Sequence, residues 1–213
     1  MKKLFWLIIP LTMTMSSCNE KKVDTNPFFT EWTTPFGAPP FDQITEDHYL
    51  PAYEEAMKRN KIEIDAIINN SEAPTFENTI LAYDQAGKML NKVSAVFGGI
   101  RGANTNDKMQ EISKTVTPKL TVHYNEIGLN QKLFARIKAV YEKRNDLNLD
   151  IEQMRVVEKM YIDFQRNGAD LPEEKRNELK KLSERMAMLS LTLGQNMLSE
   201  SNGFKLVLYK KEN

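Results

Sequence analysis

Cysteine is almost absent from this chain. Cys18 stands alone, so no internal disulfide is available and the fold must hold by packing. Histidine is nearly as scarce. His48 and His123 are the only two, and neither has a second His or a Cys at ligand spacing, whereas a catalytic zinc site needs three protein ligands. Nine glycines and nine prolines are spread over 213 residues, with most prolines before Pro74. That leaves too few turn signals for a many-stranded β fold. Charge of one sign is lacking too. Lys plus Arg and Asp plus Glu both number 29 and are interspersed, so there is no basic stripe and nucleic acid is excluded as an expected partner. What remains is 41% hydrophobic and 27% charged, the composition of a globular chain with a real apolar core.

The position of Cys18 explains it better than redox chemistry does. Lys2 and Lys3 precede the apolar run Leu4 to Leu11, which is too short to span a bilayer. Small and polar residues follow, ending Met15-Ser16-Ser17-Cys18. The pattern resembles a bacterial lipoprotein signal, with Met15 where leucine is usual. Residues 1–17 are then a signal peptide, Cys18 a lipidated N-terminus and residues 18–25 a polar tether. The expected location is the bacterial cell envelope, anchored to the membrane by acyl chains. An ordinary secretory signal with an incidental cysteine is the other reading. Cleavage before Cys18 removes two lysines and no acid, leaving a slight acidic excess.

From Asn26 to Phe41, proline and aromatics alternate without a helical period, which predicts a non-helical arm packed across a larger body. A ligand-binding aromatic cluster is the alternative for Phe28, Phe29, Trp32, Phe36 and Phe41. Amphipathic helices follow. The first runs from Thr45 to Asn69, with Tyr49, Tyr53, Met57, Ile64 and Ile68 on one face. Thr75 caps a second, which Gly98, Gly99 and Gly102 end. Asn106 caps a third that Pro118 should kink, with Met109, Ile112, Val116, Leu120 and Tyr124 inward. A fourth spans Gln131 to Lys143. Asp150 with Gln153 forms a capping box for a fifth, which Gly168 stops. Leu171-Pro172 opens the longest helix, to about Asn202, with Leu179, Leu182, Met186, Leu189, Leu193 and Met197 as its inward stripe. Phe204 to Tyr209 alternates like the start of a strand. The fold class is therefore all-α: an irregular multi-helix domain with an extended N-terminal arm and a strand-like C-terminal end.

Chemistry is hard to find. No H-E-x-x-H, G-x-S-x-G or P-loop pattern occurs. His48 sits in a polar first turn, and His123 has no adjacent acid, so both read as structural. Gly98-Gly99-Ile100-Arg101-Gly102 follows a helix instead of a strand, the wrong context for a phosphate cradle, and reads as a helix stop. Glu54-Glu55 and Glu173-Glu174 read as solvated helix faces, and Met154, Met160, Met186 and Met197 as core fillers. No catalytic, cofactor-binding or metal-binding residue is assigned.

Several strings nevertheless carry a resemblance: NPFF at Asn26, APPFDQI at Ala38, YLPAYEEAM at Tyr49, EAPTFENTI at Glu72, LFARIKAVY at Leu133 and LSLTLGQNMLSESN at Leu189. Together they resemble the thimet oligopeptidase family of zinc metallopeptidases, nearest to its bacterial peptidyl-dipeptidases. The resemblance runs in order from Asn26 to about Leu208. It implies a clam-shaped helical enzyme whose N-terminal part forms one wall of a deep channel. A C-terminal catalytic part then carries H-E-x-x-H, a further Glu ligand and the zinc, and hydrolyses short peptides by removing C-terminal dipeptides. No catalytic residue of that pattern falls on a position here. Residues 26–213 are thus expected to be the channel-wall domain, cut short before the catalytic part and inactive alone. The alternative is a free-standing binding or interaction lipoprotein built from the same domain.

Overall fold

The computed structural model describes residues 26–207, so Cys18, the signal-like segment and Leu208 to Asn213 lie outside the described residues. Helices dominate: α1 (Tyr49–Ile68), α2 (Ala82–Gln85), α3 (Lys88–Ala103), α4 (Asp107–Gly128), α5 (Gln131–Lys143), α6 (Ile151–Arg166) and α7 (Glu173–Gly203). No strand occurs among the described residues. Phe204 leaves α7 with extended backbone, and residues 204–207 pair with no neighbour there.

Helix α1 is the spine, because its two halves serve two cores. Tyr49, Ala52, Tyr53 and Ala56 pack with Leu90, Val93, Val96 and Phe97 of α3 and Met109, Ile112 and Val116 of α4. Further along, Ile64 and Ile67 join Ile80 from the segment before α2, with Leu133, Phe134, Ile137 and Val140 of α5, and Val157 and Phe164 of α6. The helical period places both sets on one face of α1, and each fully buried aliphatic side chain adds about 1.5–3 kcal/mol.

The arm docks as expected at its start and departs from expectation at its tip. Phe28 is buried against Tyr49, and the Trp32 Nε1–H donates to Pro27 O at 2.9 Å. Lys92 from α3 lies 3.7 Å from the Trp32 ring centre and donates to Thr30 O. The arm is not free of helix, however: Pro27–Phe29 and Pro35–Gly37 each form one 3₁₀ turn. Proline at the first position of such a turn lacks only a donor that would be unpaired anyway. Phe36 and Phe41 do not pack. Phe36 (φ 60°) and Gly37 (φ 66°) are consecutive left-handed residues that turn the Phe36 ring fully outward.

Four other expectations need correction. The helix expected after Thr75 is broken at Ala86-Gly87. Gly87 has φ 75°, its N–H donates to Glu63 Oε2 at 2.7 Å, and a Cβ there would meet Asn60 Nδ2 at 3.0 Å. Gly98, Gly99 and Gly102 end nothing, since α3 runs through them to Ala103; tertiary packing of its earlier turns outweighs the roughly 1 kcal/mol cost of each glycine. In α4, which continues through Pro118, His123 is buried and Tyr124 is the exposed member of the pair. Finally, the stripe assigned inward on α7 is partly buried only at Leu179, beside Gly168, and faces out beyond it. Leu182, Met186, Leu189, Leu193 and Met197 are 58–65% exposed, and Ser183, Ala187, Leu191 and Gln195 lie toward α4 instead. Helix α7 runs antiparallel to α4, tied by Asn125 to Ser183 at one end and by Gln195 to Gln110 at the other.

Candidate functional site

His48 and His123 each have a place in the fold and do not meet, while Cys18 lies outside the described residues. His48 ends the 3₁₀ turn before α1, where its Nδ1 accepts from Thr45 N–H at 3.0 Å. This is a capping role. His123 lies far along α4, on the inner side. Its Nε2–H donates to Asn60 Oδ1 at 2.8 Å, and Asn60 Nδ2 reaches toward Glu63, whose carboxylate holds the Gly87 N–H. The result is a polar seam between the two apolar cores, linking α4, α1 and the α2–α3 break. Asn60 carried no motif and was missed from sequence. An uncharged polar residue on the buried face of an otherwise apolar helix stripe is the signal that would have found it.

Burial holds the His123 pKa below the ordinary 6.5, with Lys61 acting the same way and Glu126 opposing. The native state therefore binds fewer protons than the unfolded chain. Stability from this group is complete above the unfolded pKa and declines as pH falls through 6.5 toward the native pKa. Urea unfolding at pH 7.5 and pH 5.5 should show a lower midpoint at the acid end, and His123→Gln should flatten that difference. An unchanged pH dependence in the variant would show that His123 does not carry it.

A cleft of about 680 Å³ opens beside this seam. Lys61, His123, Glu126, Lys132, Arg176 and Lys180 line it, over an apolar floor that includes Ile64 and Ile127. Its charges are mixed and include no Ser, Cys or Thr nucleophile held by a base. Among the described residues, no three His, Cys, Asp or Glu side chains are grouped so as to hold a metal ion. Tyr53, whose pKa burial pushes up to about 12, packs its ring edge-on against Phe97 in the first core. The arm aromatics that form a cluster, Phe28 and Trp32 with Tyr49, pack against the first core.

Three of the strings singled out in the sequence serve the architecture. In EAPTFENTI, Pro74 ends the turn, Thr75 and Asn78 exchange capping hydrogen bonds of 2.9 and 3.1 Å, and Thr79 and Ile80 are wholly buried. Arg136, from LFARIKAVY, donates to Asn70 O, Glu72 O and Asn78 Oδ1, which clamps that turn onto α5. In NPFF, Asn26 caps the Pro27 turn and donates to His48 O. What these elements define is a helical scaffold without a catalytic constellation among its described residues.

Comparison with known proteins gives the chain its relatives. Over 183 residues the chain is 39% identical to the dipeptidyl carboxypeptidase of Escherichia coli, covering 86% of this chain and 27% of the relative. Over 179 residues it is 38% identical to the dipeptidyl carboxypeptidase of Salmonella typhimurium, covering 84% and 26%. Oligopeptidase A of Escherichia coli is similar at 22% identity over 189 residues, covering 88% and 27%. No protein-family model matches the chain. The chain belongs to the thimet oligopeptidase family, and it spans about a quarter of the length of the curated relatives it matches.

Proposed function

We propose that this chain supplies the helical channel-wall part of a zinc-dependent peptidyl-dipeptidase or oligopeptidase that acts on short peptides. In this reading it contributes shape and no catalytic group. The observation that carries the proposal is the match of more than four-fifths of the chain to about a quarter of two dipeptidyl carboxypeptidases. The architectural use of the matching strings supports it. Zinc and the water it activates would belong to residues outside those described. A second reading, a free-standing binding lipoprotein, draws on the open mixed-charge cleft beside His123.

The test uses the purified chain, a fluorogenic short peptide and a zinc determination run together. Hydrolysis no faster than buffer, with zinc far below one per chain, is the expected result. Stoichiometric zinc with cleavage that a chelator abolishes would overturn the reading of a non-catalytic wall.

A further inference from the structure

An edge helix ordinarily turns its apolar side toward its own fold. Helix α7 does the reverse. It packs on α4 through Ser183, Ala187, Leu191 and Gln195, and none of its 31 residues is buried. Its larger side chains, Leu182, Met186, Leu189, Leu193 and Met197, recur every three or four residues and form one ridge on the free side. The ridge runs about 22 Å at 1.5 Å per residue. Past its end, Phe204, Leu206 and Val207 are exposed too, on backbone without a ladder partner among the described residues. A contiguous apolar surface of this kind marks a contact with another protein body.

Two further observations choose the occupant. Of the strings that carry the family resemblance, those in the arm, α1, the Thr75 turn and α5 place side chains in the two cores, whereas LSLTLGQNMLSESN on α7 leaves its largest side chains outside. The relatives that match the chain are also nearly four times as long as the matched part. We infer that the outer ridge of α7 is the seat for the portion of the family's chain beyond this quarter, which would meet it with an apolar face. This rests on the proposed function and adds to it the surface through which the wall joins the rest of the enzyme.

The test compares one substitution in two settings. The first is the full chain. The second is the Escherichia coli dipeptidyl carboxypeptidase carrying residues 26–207 in place of its own matching quarter. Leu189→Lys should leave the urea midpoint and helical signal of the full chain unchanged, because Leu189 is 60% exposed there. In the chimera the same lysine would be buried without a partner, and the yield of active enzyme should fall at least about 10-fold. Ser199→Lys, an exposed position off the ridge, should be tolerated in both. If the parent chimera itself fails to fold, the proposed wall role fails with it. If the parent is active and Leu189→Lys is equally active, this inference alone is wrong. A chimera that tolerates the lysine, beside a full chain whose dimer the lysine abolishes, would give the ridge to a second copy instead.

Discussion

Replacing Cys18 by serine is expected to move the protein from the membrane fraction to the soluble fraction. The apolar run Leu4 to Leu11 cannot itself cross a bilayer, and no helix among the described residues is long and apolar enough to do so. In the lipoprotein reading, attachment comes from lipid on the one thiol that follows the signal-like segment. Each buried methylene adds about 0.8 kcal/mol, so one acyl chain binds marginally and several bind stably. Loss of the thiol removes all of them at once, and the shift should be nearly complete instead of graded. Fractionation of wild-type and Cys18→Ser cells, followed by mass analysis of the N-terminal peptide, reads the outcome. A wild-type protein already soluble after export, with an unmodified Cys18, would refute the anchor.

Helix existence was legible in the sequence wherever local chemistry was self-sufficient. Asn106 does cap α4, Asp150 and Gln153 do exchange hydrogen bonds, and α5 spans Gln131–Lys143 as expected. Gly168 stops α6 at φ 89°. What failed depended on partners distant in sequence. Gly98, Gly99 and Gly102 read as a stop because glycine weakens helices, yet Leu90, Val93, Val96 and Phe97 anchor α3 strongly enough to carry it past them. The Gly87 break is set by Glu63 and Asn60 from α1. The direction of α7 was misread for a related reason. Periodicity shows that a helix has an apolar face, and the inward assignment assumes that the covering body is in view.

His48 and His123, read from the sequence as structural, serve a cap and a buried seam. The seam itself was not legible, because it joins Asn60 to a residue on another helix through one hydrogen bond. Most strings that pointed to the family form turns and cores in the structure, whereas LSLTLGQNMLSESN on α7 leaves its largest side chains exposed.

The proposed separation of shape from chemistry is tested most directly by the parent chimera. Residues 26–207 replace the matching quarter of the Escherichia coli dipeptidyl carboxypeptidase, and release of a C-terminal dipeptide from a short peptide is measured. If this chain contributes shape alone, every catalytic group comes from the recipient. The Tyr49, Tyr53 and Phe97 core and the Arg136 clamp come with the insert. At 39% identity, side chains at the junction will differ, and some loss of rate is expected. A kcat/KM within about 100-fold of the parent enzyme corresponds to under 3 kcal/mol of transition-state stabilisation lost to imperfect fit. That result is the one predicted. A chimera that folds, retains its zinc and cleaves nothing would show that the exchanged quarter carries catalytic groups that this chain lacks, and would contradict the account.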